Sequence, residues 1–236
     1  MKFGFPMLGA ALLLAGSAAA LLIGSAGAQQ PQGPNLADGG KKEANETVRL
    51  LDTSSRLLDY GRKNKEPIAM ILAAQMRQRV TLTEVDRKPQ VEGGAADEGA
   101  KTTQTDITVD SILDEARKMS AGDKVIGQMA DDVKASASKG RVGGPAAHRV
   151  NVPAGATNWY RGVTFQGGRY AEVAAMGDGD TDLDLYVYDA SNNLICSDTD
   201  LSDRTYCGWT PRWTGDFTIK VVNRGRVYNR YTFVTN

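Results

Sequence analysis

The stretch GDGDTDLDLYVYD, residues 177–189, carries five aspartates: Asp178, Asp180, Asp182, Asp184 and Asp189. Carboxylates this close repel one another unless something neutralises them. Three chemistries suit such a group: a calcium site, an acid–base pair, or a solvated acidic turn. Calcium takes roughly six to eight hard oxygens from carboxylates, carbonyls and water. Asp198 and Asp200, in CSDTD, can reach the same edge. The first five aspartates occupy relative positions 1, 3, 5, 7 and 12, as in an EF-hand loop. Leu183, however, stands where that loop requires glycine, and the flanks read as strands. The EF-hand is excluded. Calcium remains the expected cofactor, with Asp182 and Asp184 as first ligands, then Asp180 and Asp178, and Asp198 and Asp200 behind them. Glycoside hydrolysis needs a carboxyl pair with one pKa raised by burial, which a crowded, exposed acidic turn does not supply.

No other residues assemble a stronger chemistry. His148 is the only histidine, and no G-x-S-x-G elbow accompanies it. Cys196 and Cys207 lack the C-x-x-C redox spacing, and in an exported chain an even pair favours a disulfide. No catalytic residue is assigned, and the chain is read as a non-enzyme. Trp209-Thr-Pro-Arg-Trp213 reads as an aromatic hairpin tip. Exposed, Trp209, Arg212 and Trp213 would bind a sugar face or an extended peptide through stacking and cation–π contact. Buried, they are core, the commoner fate of tryptophan in a small sandwich. Trp159 and Tyr160 pose the same question. Arg224, Arg226 and Arg230 flank a turn and read as a solvated face, with an acidic cell-surface polymer as the sharper alternative.

The elements around these residues fall into two parts. The chain has 236 residues and a formal net charge of zero, which excludes a bulk nucleic-acid-binding surface. The first 28 residues show a positive start, an apolar run and an Ala26-Gly27-Ala28 cleavage pattern, so they read as a secretory signal. A membrane partner enters only if that signal stays uncleaved. Residues 29–44 read as a linker. Residues 45–136 read as helical, from stripes such as Val48, Leu51 and Leu58, then Ile68, Ile71, Leu72 and Met76. Glu66-Pro67 marks a fresh helix start. Residues 83–106 are charged and Gly/Ala-rich and read as a flexible loop. Ile112, Leu113, Ala116 and Met119 form a third stripe, with Asp110 or Ser111 as N-cap. Val125, Ile126, Met129 and Val133 form a fourth. Residues 135–146 read as a domain linker. From His148 the period becomes two, with short Val-, Tyr- and Thr-rich segments between Gly, Asn and Asp turns. In LDLYVY, Leu183, Leu185 and Val187 should face a core, while Asp184, Tyr186 and Tyr188 face outward.

The later motifs carry a resemblance. Asp182, Asp184 and Leu185 match an Asp-x-Asp-Leu strand, and Gly215, Phe217, Ile219 and Val221 match a Gly-x-Tyr/Phe-x-Ile-x-Val strand. Together they resemble the bacterial pre-peptidase C-terminal domain, over residues 145–236. The resemblance implies a jelly-roll-like β-sandwich, similar to collagenase collagen-binding domains, and a secreted accessory module stabilised by calcium. The fold class expected is therefore α+β by chain: a short N-terminal helical region followed by an all-β jelly-roll-like sandwich. The expected function is an exported, periplasmic or secreted, non-catalytic binding or stabilising module with a calcium-binding Asp loop. Its partner would be an extracellular protein or polysaccharide. The alternative is an accessory or inhibitor subunit of a separately encoded secreted hydrolase, docking through the N-terminal helices.

Overall fold

The computed structural model describes Met1 and residues 33–39, 44–94, 106–136 and 145–236. The rest of the signal segment, residues 95–105 of the expected loop and residues 137–144 of the expected linker lie outside the described residues. Residues 33–236 form one compact unit.

Four helices make the first layer: α1 (Glu46–Asn64), α2 (Pro67–Gln78), α3 (Val109–Met119) and α4 (Lys124–Ala135). Asn45 caps α1 by accepting from the Val48 N–H, and Pro67 opens α2. The cap of α3 is Thr108, not Asp110 or Ser111. Thr108 is extended and its hydroxyl accepts from the Ser111 N–H, while Ser111 accepts from the Thr108 N–H, a reciprocal box that leaves Asp110 inside the first turn. The α2 stripe also differs from expectation. Ile71 is buried as expected, but Ile68 and Leu72 are exposed and Met76 is half-buried, and Met70, Ala73 and Ala74 complete the buried face instead. The alanines let α1 come close, so that the Ser54 hydroxyl donates to the Ala73 carbonyl at 2.8 Å.

The β part holds two five-stranded sheets. Its strands are β1 (Thr83–Glu84), β2 (Gln90–Gly93), β3 (Ala146–Val152), β4 (Ala156–Phe165), β5 (Ala171–Met176), β6 (Leu183–Asp189), β7 (Leu194–Asp198), β8 (Arg204–Trp209), β9 (Gly215–Asn223) and β10 (Asn229–Thr235). Sheet A runs β1-β3-β10-β5-β8 and sheet B runs β2-β4-β9-β6-β7. Without β1 and β2 this is the eight-strand jelly-roll order. The α+β class and the jelly-roll sandwich are thus both observed. β1 and β2 lie in the segment expected to be a flexible loop. Their residues are all exposed, so no hydrophobic alternation marks them. They pair with the edge strands β3 and β4, one in each sheet, and cover two open edges.

The core between the sheets includes Val173, Leu183, Leu185, Val187, Phe217, Ile219, Tyr231 and Phe233. Every residue of β5 is buried, because the two sides of this strand have different covers. Ala171, Val173 and Ala175 face the other sheet, while Ala174 and Met176 pack against Val48 and Leu51 of α1. Sheet A is therefore roofed by a helix. Cys196 on β7 and Cys207 on β8 form the expected disulfide, with Cα atoms 5.9 Å apart, and it joins the edge of sheet B to the edge of sheet A. Closing so short a loop contributes roughly 2–3 kcal/mol in the chain-entropy account. The expected linker also differs over its described part. Asn35 is buried, donates from Nδ2 to the Trp213 carbonyl at 3.0 Å, accepts from the Trp213 N–H at 3.1 Å, and its own N–H donates to Asp189 at 2.9 Å.

Candidate functional site

The aspartate stretch is built around a residue that the sequence pattern did not single out. Asp203, buried at 3% exposure, lies beneath the turn between β5 and β6. Its carbonyl accepts the Gly177 N–H at 2.8 Å, and its carboxylate accepts the Gly179 N–H. A Cβ at Gly177 would strike that carboxylate, and Gly179 has φ +97°, so both glycines are required here. Burial pushes the Asp203 carboxyl up to about 6, against the lowering pull of the Gly179 N–H.

The aspartates above it are shared out among separate partners. Asp178 is buried and accepts the Arg230 N–H at 3.0 Å, while Arg62 of α1 donates to its carbonyl at 3.2 Å. Asp184 stands on the outer face of sheet B, as the alternation requires, yet it is buried. Arg224 donates to it at 2.7 Å and the Tyr186 hydroxyl at 3.0 Å. Asp198 accepts the Tyr206 N–H at 2.9 Å, and Asp200 accepts from the Ser202 hydroxyl at 2.6 Å. Asp189 accepts from the backbone of Asn35, Ser191 and Asn193 and from the Asn193 side chain. Burial alone would raise its pKa, but these donors together hold it below the ordinary value. Asp180 is exposed at the turn. The repulsion in the stretch is thus relieved by the basic tail and by backbone donors.

Among the described residues no three His, Cys, Asp or Glu side chains converge as a metal cage. Asp182 has a feature a cation would use. Its Oδ1 is shut from solvent without a hydrogen-bond donor, and burial, followed by the charges of Asp184 and Asp200, pushes its pKa up. Asp178, Asp184 and Asp198 are engaged as described.

The tryptophan tip divides. Trp209 is core, packed on Phe165 at 4.9 Å and Phe217 at 5.2 Å between ring centroids. Trp213 is half-buried and its backbone holds Asn35, while Arg212 is exposed beside Asp38. Tyr160 is core as well, stacked on Phe233 at 4.0 Å.

An aromatic row lies elsewhere. Register across sheet B aligns Gln90, Trp159, Lys220, Tyr186 and Ser197. Their strand neighbours Tyr160, Ile219, Leu185 and Val187 enter the core, so this row faces outward. Lys220 Nζ lies 5.3 Å from the Trp159 ring and 5.1 Å from the Tyr186 ring, Arg161 lies 4.6 Å over Trp159, and Tyr188 flanks Tyr186 at 6.5 Å. Strand spacing puts Trp159 and Tyr186 about 10 Å apart, two strands from each other. The signal for this face was present in the outward positions of NWYRGVTF, LDLYVY and FTIKVVN. What joins them is the strand order.

No family profile and no curated protein matches the chain. Solved structures do. One is the pre-peptidase C-terminal domain of a Bacillus anthracis collagenase, 11% identical, covering 41% of this chain and 92% of that one, with a TM-score of 0.32. Another is the C-terminal family 6 carbohydrate-binding module of a marine laminarinase from Zobellia galactanivorans, 10% identical, covering 35% of this chain and 74% of that one, with a TM-score of 0.25. A third is a family 36 carbohydrate-binding module solved with calcium and xylotriose, 13% identical, covering 41% and 91%, with a TM-score of 0.25. The first of these is a member of the family whose two strand motifs residues 145–236 resemble.

Proposed function

We propose that the chain is an exported, non-catalytic binding module, secreted or periplasmic, whose working surface is the outer face of sheet B. One observation carries this reading: the Trp159–Lys220–Tyr186 row lies part-exposed on the outer face of sheet B, while the corresponding face of sheet A is roofed by α1. Aromatic faces interleaved with cations suit an extended extracellular polymer, peptide or polysaccharide, by stacking and by pairing with its acidic groups. The test is affinity electrophoresis through gels containing soluble acidic polysaccharides or gelatin. Trp159→Ala and Tyr186→Ala should each weaken retardation about tenfold, a loss of about 1.4 kcal/mol. Trp159 lies outside the core, so the thermal midpoint of Trp159→Ala should hold, whereas Tyr186→Ala also removes a hydrogen bond to the buried Asp184 and should lower it. Wild type that is not retarded by any polymer, or a double variant retarded equally, would reject the surface.

Calcium is proposed as a structural ion of the aspartate corner, with Asp182 as its first ligand and with backbone carbonyls and water supplying the remaining oxygens. Bound only by the folded state at a hundred times its dissociation constant, it would add about 2.7 kcal/mol and raise the unfolding midpoint roughly 5–10 °C over chelator-treated protein. Asp182→Asn should abolish that rise. An unchanged wild-type midpoint leaves the corner as an acidic turn neutralised by Arg224. The alternative role, an accessory subunit of a separate secreted hydrolase, is favoured by Ile68 and Leu72, one helical turn apart on α2 and 54% and 45% exposed. A hydrolase that copurifies with wild type and is lost from Ile68→Ser, Leu72→Ser would favour it.

A further inference from the structure

A cleft of about 310 Å³ opens at the seam between the helical layer and sheet A. The end of α2 contributes Arg77, β3 contributes His148 and Arg149, β10 contributes Thr232, and the start of α3 contributes Thr108 and Val109. Leu51, Val80, Leu82 and Ile107 give it apolar walls.

Its guanidinium charge is answered only at a distance, by Asp59 and Asp203 acting on Arg77. Arg77 Nη2 donates to the Ser55 hydroxyl at 2.8 Å, but Nε is shut from solvent without a partner. Among the described residues no carboxylate forms a salt bridge with Arg77 or Arg149. Asp106, the nearby acid, is paired with Arg230 at 2.5 Å. Glu84 lines the rim and is exposed. Burial, and then the charge of Arg149, lowers the Arg77 pKa to about 10. Taking a guanidinium out of water beside a second cation destabilises the folded chain unless an anion answers it. The N-terminal end of the eleven-residue α3 adds its partial positive charge to the same space.

We propose that this cleft binds a small organic carboxylate, its anionic head between Arg77 and Arg149 and its apolar body against Leu51, Val80 and Ile107. A planar guanidinium pair matches a carboxylate fork, and the apolar walls exclude a bare inorganic anion as the best fit. The site lies on sheet A and is separate from the outer face of sheet B.

The experiment uses the full chain, with hexanoate as probe and hexanamide as its uncharged control, read by calorimetry and by thermal unfolding. Hexanoate should bind saturably with a dissociation constant of about 1 mM or below and raise the midpoint, and hexanamide should do neither. Arg149→Ala should weaken hexanoate about tenfold. Arg77→Met should abolish binding while leaving the ligand-free midpoint equal or higher, because a buried unpaired charge is removed. A purely structural Arg77 would instead make Arg77→Met less stable and leave hexanoate binding unchanged. Equal binding of the amide, no saturation up to about 10 mM, or hexanoate binding unaltered in Arg149→Ala would overturn the proposal.

Discussion

Glu172→Ala should destabilise the protein by roughly 3–4 kcal/mol, with a fall of about 10 °C in the thermal midpoint. Glu172 is 2% exposed on β5, on the side facing α1. Its carboxylate accepts the Asn45 N–H at 2.9 Å, the Asn45 Nδ2 at 2.6 Å and the Tyr206 hydroxyl at 2.9 Å. Asn45 is the N-cap of α1, so a negative charge sits at the positive end of a nineteen-residue helix. This clasp fixes the helical layer to sheet A. Truncation removes the acceptor of three part-buried donors, of which only the Tyr206 hydroxyl keeps another partner, Tyr170, and each donor left unsatisfied costs about 1–3 kcal/mol. Burial, followed by hydrogen bonds to Tyr170 and Glu172, already drives the Tyr206 phenol above its ordinary pKa, so it stays a donor throughout the accessible range. Glu172→Gln keeps the shape but points an amide at groups that are themselves donors, and should lose about half as much. A double-mutant cycle with Asn45→Ala should show coupling above about 1 kcal/mol. Simple additivity, or a Glu172→Ala loss below about 1 kcal/mol, would mean that apolar packing on α1 alone holds the layer.

The second large effect is a pH dependence centred on Asp203. Burial is the main cause that lifts its carboxyl from 3.8 to about 6. The folded chain therefore holds this proton more tightly than the unfolded chain does. The stabilisation is fully present below about pH 4, and it is lost as pH rises through about 6. The swing is on the order of 2–3 kcal/mol for a shift of about two units in a buried group. Urea unfolding in calcium-free buffer at pH 4, 5, 6 and 7 should show this contribution, and Asp203→Asn should remove it. The comparison rests on the slope against pH, not on the absolute stability of the variant. Parallel slopes for the two proteins would show that Gly179, Arg204 and Asn229 stabilise the carboxylate enough to cancel the burial.

Local pattern in the chain determined a good deal. Alternation put Leu183, Leu185 and Val187 in the core and Asp184, Tyr186 and Tyr188 on the outer face, because successive strand side chains must point to opposite sides. Apolar stripes and the Glu66-Pro67 start indicated the four described helices, since helical period acts within a few residues, although the cap of α3 proved to be Thr108 and α2 buries a different face. The paired cysteines announced their bridge. Only the tertiary structure decided how the charges are spent. Asp184 meets Arg224 forty residues on, Asp178 meets Arg230, and Glu172 meets Asn45 across 127 residues of chain. None of these distances has a period. The same holds for Trp159, Lys220 and Tyr186, which become one row through the order of β4, β9 and β6. It holds too for β1 and β2, whose exposed residues earn their place from edges offered by other strands. A side chain's face follows from its neighbours in sequence, whereas its partner follows from strand order and from which sheet the helices cover.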